Sequence, residues 1–536
     1  MTACCGRSGP TVYPRGSLIQ ELLIDRPGGS DLEFTRTRSG LLRGLDRSVV
    51  AAACVGMACI MVLVLVAGRT ARVPGAIAPS SWLGLLGPAR AATPSAALGA
   101  VEVGAVLLLV LSWWWLLRAA RRLTTRAIVF VGLLWATPLA LGPPLLSLDA
   151  YSYLAQGRLA ALGIDPYSHA PAALPDGIWL HGVDPFWRHA LSPYGPLAVL
   201  IERAAALTGR PVLALALLHL LALGALVVVG VVVVQLLPSA HRGTVLLLAV
   251  VNPLVLLQLL GAAHWEALLV ALLAAALLAW QRDHPAAAIA LASAAAAVKL
   301  PAGFAVAVLL VLQVLAVRQP RRLQAAATGL VAAAAPWVLL SLLVPNSLGF
   351  AGALNTPLTG RTLYAPTTLL AEVVAKAGAL AGADPHFDAV LSLCRAGGLL
   401  LALAVCCGLL VTASRRPVGT TIGAGLLVVA LLGPVLYPWY CTWGLLPLAL
   451  ASPRHRRPLV LLSSAVTFTA LPGCMRLGVA LLHLGPAWGL LLASGLASGA
   501  LALHRRCPIL RPPTAADLNG GLSPSPARER QPAAAR

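Results

Sequence analysis

The sequence predicts an all-α polytopic integral membrane protein, and its composition and the length of its apolar runs support this. Of its 536 residues, 59% are hydrophobic and 11% are charged, whereas a soluble domain has roughly 45–50% apolar and about 25% charged residues. Apolar runs of roughly 17 to 25 residues recur between positions 49 and 502, and each is long enough to cross a bilayer as a helix. The composition therefore excludes a soluble enzyme.

These runs predict a bundle of about 12–14 transmembrane helices. The runs 286–299, 302–317 and 440–452 are short enough to be re-entrant or broken. The complete set of predicted helices is 49–68, 97–117, 127–146, 212–237, 243–260, 265–281, 286–299, 302–317, 323–344, 391–413, 419–436, 440–452, 458–474 and 478–502.

The basic residues predict the orientation of the helices. Lys and Arg number 39 against 18 Asp and Glu, a formal net charge of +21. Such an excess suggests nucleic acid in a soluble protein, but membrane proteins collect Arg and Lys in cytoplasmic loops. With the tail 1–48 inside, most basic residues fall on the cytoplasmic side. We therefore predict a cytoplasmic N-terminal tail at 1–48, a disordered cytoplasmic C-terminal tail at 503–536 and no nucleic-acid partner.

In this orientation the multi-pass domain 49–502 has two long external loops, 147–211 and 345–390. The first begins with Asp149, directly after an apolar run. Partial desolvation at the membrane boundary raises the pKa of a carboxyl group toward a value that suits removal of a proton from a hydroxyl. The alternative is structural, because Asp is also a preferred N-cap, here for a helix that begins at Ala150.

Aromatic and polar side chains crowd the same loop. Tyr153 and Gln156 follow Asp149 on roughly the same helix face. Sugar sites combine such groups, since rings stack on C–H faces and polar groups bond the hydroxyls. An aromatic belt at the bilayer interface would gather the same rings. The predicted substrate-binding residues of this loop are Tyr151, Tyr153, Gln156, Asp165, Tyr167 and Tyr194.

Two cations on the external side are candidates for binding a phosphate, Lys299 at the end of a span and Arg361 in the second loop. A simpler explanation for each is a charged side chain that snorkels to the membrane interface. His264 and Glu266 are further candidates for substrate contact, but residues two apart on a helix point to different faces, which argues against a metal pair. The sequence has no glycine-rich phosphate loop. We therefore predict a lipid-borne or external donor, and neither cofactor nor metal.

Several motifs, taken in order, resemble a known family. Asp149-Ala-Tyr-Ser-Tyr is followed by Gly163-Ile-Asp-Pro-Tyr and Ser192-Pro-Tyr-Gly-Pro. They resemble the first external loop of the actinobacterial polyprenyl-phosphate-mannose-dependent α-1,6-mannopyranosyltransferases, which have the GT-C fold. The resemblance covers about 97–450, and Leu148 and Trp265 depart from the expected pattern. Further matches are Asn252-Pro-Leu, Gly261-Ala-Ala-His-Trp-Glu, Ala297-Val-Lys-Leu and Tyr437-Pro-Trp-Tyr.

The resemblance implies a mechanism at the external face of the cell membrane. Asp149 would be the general base for the acceptor hydroxyl, which attacks the anomeric carbon of a β-mannosyl phosphopolyprenol with inversion. The transition state would be oxocarbenium-like, and Lys299 or Arg361 would stabilise the departing polyprenyl phosphate. The implied acceptor is a lipid-linked mannan, either a phosphatidylinositol mannoside or growing lipomannan, whose α-1,6 backbone the reaction extends.

Two alternatives stay open. A transferase that uses another lipid-linked sugar, such as arabinose or glucose, or that forms an α-1,2 linkage, would keep the same mechanism. A lipid or sugar transporter would instead place its essential polar groups near the centre of the bundle, where Glu102, Gln258 and Glu266 are candidates. Interhelical hydrogen bonding also accounts for those three residues.

Overall fold

The computed structural model describes residues 46–69, 96–175, 177–356, 360–362, 364–383 and 386–471. Within these ranges the regular structure is helical and contains no strand, which confirms the all-α prediction. The predicted helix 478–502, the tail 503–536 and almost all of the tail 1–48 lie outside the described residues.

Every predicted helix from 49–68 to 458–474 has a counterpart in the structure. Helices form inside the two long loops as well. The described helices of ten residues or more are numbered in chain order: α1 Arg47–Arg69, α2 Ala96–Ala119, α3 Thr125–Leu141, α4 Asp149–Ala161, α5 Pro196–Ala206, α6 Pro211–Leu236, α7 Ser239–Ala249, α8 Glu266–Gln281, α9 Pro285–Ala296, α10 Gly303–Leu315, α11 Arg322–Leu343, α12 Pro366–Leu380, α13 Phe387–Val411, α14 Val418–Leu432, α15 Thr442–Ala451 and α16 Pro453–Thr469.

The length and hydropathy of these helices define a multi-pass membrane protein. Five of the described helices, α1, α2, α6, α11 and α13, are long and apolar enough to cross a membrane. A sixth span is formed when α7 and the segment Pro253–Gly261 are counted together. Helices α3, α8, α9, α10 and α14 are apolar but shorter. The count of 12–14 spans includes these shorter helices and stays a prediction.

The broken span bends by 44° at the Asn252-Pro motif. The Leu254 N–H donates to Asn252 Oδ1 at 2.9 Å, and Asn252 Nδ2 donates to the Leu248 carbonyl at 3.0 Å. Pro253 has no N–H and fits the first turn of the new segment. The Asn side chain therefore satisfies backbone groups that the break exposes, as an apolar environment requires.

Buried indole groups tie the helices together. Trp113 of α2 donates to the Leu247 carbonyl of α7 at 2.7 Å, and Trp135 of α3 donates to the Ala53 carbonyl of α1 at 2.9 Å. Each ring fills apolar space while its N–H finds an acceptor, so neither indole leaves a polar group unpaired inside the bundle.

The connections that carry the candidate site meet at one end of the bundle, which we call the loop end. Its segments are 142–148, 162–195, 262–265, 297–302 and 433–441. Leu145 N–H donates to the Gly261 carbonyl at 2.8 Å, which joins the first segment to the broken span. Helices α4 and α5 also lie there and pack closely, since a Cβ on Gly157 would overlap the Glu202 backbone. The connection between α3 and α6 runs over 142–210, and the external loops 147–211 and 345–390 stay predictions.

Candidate active site

Asp149 is the first residue of α4, and it does not act as the N-cap that its position suggested. The N-cap is Leu148, which makes no side-chain capping bond. The Asp149 side chain is 13% exposed, and its Oδ1 accepts a hydrogen bond from Trp187 Nε1 at 3.1 Å. The Asp149 N–H is bonded to Ser147 Oγ at 3.2 Å. Its carboxylate is thus held by tertiary contacts and stays open on one side.

A neutral histidine lies beside the second carboxylate oxygen. His264 Nε2 is 3.7 Å from Asp149 Oδ2 and 3.1 Å from Ser147 Oγ, and Nδ1 is 2.8 Å from the Gln258 carbonyl. A carbonyl only accepts, so Nδ1 carries the proton and Nε2 accepts from the Ser147 hydroxyl. Burial lowers the pKa of His264 to about 4. The ring is therefore uncharged at neutral pH and does not compete with Asp149 for a proton.

The surroundings of Asp149 give its carboxyl group a pKa suited to base catalysis. Burial raises this pKa to about 6, and the nearby positive charge of Lys299 holds it below the value that burial alone would give. The negative charge of Glu266 acts in the same direction as burial. The group is ionised above pH 6, where it accepts a proton readily, as a general base must.

Lys299 forms an ion pair with Glu266 close to Asp149. The distance from Lys299 Nζ to Glu266 Oε1 is 2.7 Å, and the Glu266 side chain is fully buried. The other Glu266 oxygen has no hydrogen-bond partner among the described residues. Lys299 Nζ lies 4.2 Å from the centre of the Tyr440 ring and 5.5 Å from the Trp443 ring. The ammonium is held by the carboxylate and the aromatic faces and keeps some exposure, 13%, through which an anion can reach it.

The Ser192-Pro-Tyr-Gly-Pro motif fixes the backbone that presents Lys299. The N–H groups of Gly195 and Leu197 donate to the carbonyls of Val298 and Ala297, each at 3.0 Å. A Cβ on Gly195 would overlap the Ala297 carbonyl oxygen. Only glycine therefore allows the two backbones to approach this closely, and this close approach accounts for the glycine in the motif.

We expect Gly195→Ala to reduce activity more than tenfold. The added methyl group pushes the 192–196 turn away from Ala297, and overpacking of this kind costs about 1–3 kcal/mol. Initial transfer rates and protein abundance in membranes measure the effect. Gly177→Ala is the matched control in the same loop, since a Cβ there meets no atom within 4 Å. Equal activity of the two variants would contradict this role.

Three predicted substrate-binding residues form a buried wall behind Asp149. Tyr153 and Tyr194 pack edge to face at 5.1 Å, and their hydroxyl groups are 3.3 Å apart. Gln156 Oε1 accepts from Ser192 Oγ at 2.8 Å. Each of the three is at most 3% exposed. They join α4 to the Ser192–Pro196 turn, and direct contact with substrate stays a prediction for them.

The remaining predicted residues of this loop lie in other contacts. Asp165 Oδ1 accepts from the Tyr167 N–H at 2.9 Å, which is an Asx turn, and its Oδ2 accepts from Asn346 Nδ2 at 2.8 Å. The Tyr167 ring packs against Phe350 at 6.4 Å. These contacts join the first loop to the second. Tyr151 is buried in the core of the loop end.

Arg361, the second predicted phosphate ligand, is not brought to Asp149 by its described contacts. It forms an ion pair with Asp388 at the start of α13, and its guanidinium lies 5.6 Å from the Phe387 ring. Its side chain is 57% exposed. The structure therefore groups Asp149, His264, Glu266 and Lys299, and leaves Arg361 in a surface ion pair. Its phosphate-binding role stays a prediction.

Sequence reasoning missed the aromatic residues that surround Asp149 and Lys299. Trp439 stacks on His264 with ring centres 3.8 Å apart, and Tyr437 stacks on Trp439 at 4.8 Å. Trp187 bonds Asp149 from a one-turn helix in the first loop. The clustering of aromatic residues in the Tyr437-Pro-Trp-Tyr segment was the signal that could have identified Tyr437 and Trp439 as part of the site.

Sequence reasoning also missed a buried carboxyl group, Glu202 of α5. Its Oε1 accepts from Trp265 Nε1 at 3.0 Å, while its Oε2 has no hydrogen-bond partner among the described residues. Burial raises the pKa of Glu202 to about 8. The group is therefore neutral at pH 7, and it holds Trp265, the residue that departs from the expected family pattern. Trp265 in turn lies against Tyr153, with ring centres 5.7 Å apart.

We expect Glu202→Gln to change how stability depends on pH. The folded pKa, about 8, exceeds the ordinary value of 4.5, so the folded state binds more protons between these values. The stability that this group contributes is complete below pH 4.5 and is lost as pH rises through 8. The variant lacks this loss, so its advantage over the parent grows by about 1.4 kcal/mol per pH unit between pH 4.5 and about 8 and levels off above pH 8. Melting temperatures in detergent from pH 5 to 9 measure it. Parallel curves of melting temperature against pH for the parent and for Glu202→Gln would contradict this expectation. Glu372→Gln on α12 is the control substitution.

The fold and this site define a multi-pass membrane protein that holds a carboxyl group of raised pKa and a partly exposed lysine at one end. The family model "Alpha-(1->6)-mannopyranosyltransferase, N-terminal domain" matches residues 50–316, and "MptB C-terminal domain" matches residues 367–498. The chain belongs to this alpha-(1→6)-mannopyranosyltransferase family.

Curated relatives agree with the family models. The chain is 34% identical to an alpha-(1→6)-mannopyranosyltransferase of Mycobacterium tuberculosis over 386 residues, covering 59% of this chain and 64% of the relative. It is 31% identical to a probable alpha-(1→6)-mannopyranosyltransferase of Mycolicibacterium smegmatis, covering 61% and 66%. It is 30% identical to alpha-(1→6)-mannopyranosyltransferase B of Corynebacterium glutamicum, covering 64% and 62%. The chain thus spans just under two thirds of the length of these relatives. No solved structure matches it, so the GT-C-like arrangement stays a prediction.

Proposed function

We propose that this protein is a membrane mannosyltransferase that moves mannose from polyprenyl-phosphate-mannose to a lipid-linked mannan. The reaction takes place at the external face of the cell membrane, inverts the anomeric centre and forms α-1,6 linkages in the synthesis of lipomannan and lipoarabinomannan. One observation carries the proposal, namely that Asp149 and the Lys299–Glu266 pair meet at the loop end. The names of the curated relatives support the sugar and the linkage.

Asp149 performs the acid–base step. Its carboxylate takes the proton of the acceptor hydroxyl, and the oxygen attacks the anomeric carbon of the donor as the bond to the phosphate oxygen breaks. The electron pair leaves with polyprenyl phosphate, and a β-linked donor gives an α-linked product. The pKa of about 6 for Asp149 supports this role, because the group is ionised yet basic near neutral pH.

Lys299 stabilises the leaving phosphate. Its ammonium lies close enough to Asp149 to lower that group's pKa, so the base and the cation serve one pair of reacting atoms. Glu266 and the Tyr440 ring hold the ammonium in place, and a preorganised charge of this kind stabilises a developing phosphate anion. Arg361 is 57% exposed and its described contacts are with Asp388 and Phe387, whereas the charge of Lys299 acts on Asp149, which makes Lys299 the better candidate.

The test is transfer by membranes that contain the full chain. Radiolabelled polyprenyl-phosphate-mannose and octyl α-1,6-dimannoside are the substrates, and the linkage of the product is determined by methylation analysis. We expect labelled trimannoside with a new α-1,6 bond. An α-1,2 product would overturn the proposed linkage. Transfer only from an arabinosyl or glucosyl donor would overturn the proposed sugar. Uptake of label into sealed vesicles without any transfer would overturn the proposal in favour of a transporter.

A further inference from the structure

The loop between α4 and α5 places two aromatic rings beside Asp149. Asp184 caps a one-turn helix, Pro185–Arg188, by accepting from the Phe186 N–H at 2.9 Å. The next residue, Trp187, reaches Asp149 through its indole N–H. The Phe186 and Trp187 rings pack edge to face with centres 5.0 Å apart. Phe186 is 38% exposed, so the loop presents aromatic surface next to the reactive carboxylate.

This aromatic pair is held in place by the rest of the turn. Arg188 donates through Nε to the Val183 carbonyl and through Nη2 to the Leu180 carbonyl, each at 3.3 Å. Gly182 has a φ of 84°, a conformation that favours glycine, and a Cβ there would lie 2.8 Å from the Tyr151 ring of α4. The turn therefore sits directly on the helix that begins with Asp149, and the positions of its rings are defined before a substrate arrives.

The two oxygens of Asp149 face different partners. Oδ2 faces His264, which stacks on Trp439, and Trp439 packs against Tyr440, the ring that lies closest to Lys299 Nζ. Oδ1 faces Trp187. These successive contacts connect the Oδ2 side of Asp149 to Lys299, and a phosphate bound by Lys299 is assigned to that side on this ground. In the reaction the anomeric carbon lies between the attacking hydroxyl and the phosphate, and the general base must reach that hydroxyl. The acceptor that carries the hydroxyl therefore belongs on the side away from the phosphate, which is the Oδ1 side.

We infer that Phe186 and Trp187 form the acceptor subsite, which binds the pyranose ring that carries the attacking hydroxyl. The inference rests on the proposed function, since it assumes that Asp149 is the base and that Lys299 binds the donor phosphate. Trp187 presents an aromatic face to the C–H face of the sugar, and exposed Phe186 contacts the neighbouring residue of an α-mannoside chain. Aromatic faces bind pyranose rings in this way because both surfaces are apolar.

Trp187 has a second effect that separates it from a merely structural residue. Its N–H bond to Asp149 lowers the pKa of that carboxyl group, against the effect of burial. Trp187→Phe keeps an aromatic ring and removes the N–H, whereas Trp187→Ala removes both. The two variants therefore separate sugar binding from the tuning of the base.

The experiment measures kinetic constants of the full chain in nanodiscs, with polyprenyl-phosphate-mannose as donor and octyl α-1,6-dimannoside as acceptor. We expect Trp187→Ala to raise the acceptor KM about tenfold, equivalent to about 1.4 kcal/mol, with the donor KM unchanged. Trp187→Phe should keep the acceptor KM within about threefold and shift the acid limb of kcat to higher pH. Trp115→Ala, an exposed tryptophan of α2, is the control.

Binding of octyl α-1,6-dimannoside without donor separates this inference from the proposed function. If the parent binds the dimannoside and Trp187→Ala does not, the subsite stands even where no mannosyl transfer occurs, and only the donor assignment fails. If transfer occurs and Trp187→Ala leaves the acceptor KM unchanged, or raises both KM values equally, the subsite is overturned while the proposed function stands. Failure of the parent to bind the dimannoside also overturns the subsite.

Discussion

Replacing Asp149 by Asn lowers the rate of mannosyl transfer by about 10³-fold or more, because a positioned general base contributes roughly 10²–10⁴-fold to a rate. The amide has the shape of the carboxyl group and can still accept the Trp187 hydrogen bond through its oxygen, so we expect the variant to accumulate in membranes like the parent. It cannot take a proton from the acceptor. The measurement is the initial rate of label transfer from polyprenyl-phosphate-mannose, normalised to protein by immunoblot.

The pH dependence of the same reaction provides a second measurement for this prediction. Only the ionised carboxylate is active, so kcat should rise with pH, by about tenfold per unit well below pH 6, and level off above the pKa of about 6. Asp283→Asn is the matched control, because it makes the same substitution at an exposed turn between α8 and α9, away from the loop end. Full activity of Asp149→Asn, or a profile without an acid limb, would sink the assignment of the base.

Local sequence predicted the helices and the position of Asp149 for physical reasons that need no tertiary information. A run of about 20 apolar residues has few stable alternatives to a membrane helix, and a carboxylate at the end of such a run is conspicuous because acids are scarce in this chain. The resemblance to the mannopyranosyltransferases then singled out Asp149 as the base. Helix boundaries agree to within a few residues in most cases.

The partners of those residues depend on contacts between distant parts of the chain, which the sequence pattern does not specify. Trp187 meets Asp149 across 38 positions, and Trp439 meets His264 although 175 residues separate them. Arg361 stood out as an isolated external cation, but the fold supplies Asp388 as its partner. Asp165 is different, because an Asp followed by Pro is itself a local turn signal, and the structure contains an Asx turn there.

The Lys299–Glu266 pair could not be predicted from the sequence pattern either, because 33 residues separate its two members. This pair is the basis of the second prediction with a large expected effect. We expect Lys299→Met to lower transfer by about 10²–10³-fold through loss of the charge opposite the leaving phosphate. The same change leaves Glu266 buried without its cation, and removing one member of a buried pair costs about 3–5 kcal/mol. Transfer rates and the melting temperature of the detergent-purified protein measure the two losses.

The double variant Lys299→Met with Glu266→Gln separates those losses. Neither side chain is then charged, so we expect most of the lost stability to return while transfer stays low. Lys376→Met, which changes the lysine on α12, controls for the substitution itself and should leave both measurements near those of the parent. Recovery of transfer together with stability in the double variant would show that Lys299 acts only by pairing with Glu266, and its role toward the phosphate would then have to be given up. A double variant that stays as unstable as Lys299→Met would show instead that the ammonium is held mainly by Tyr440 and Trp443.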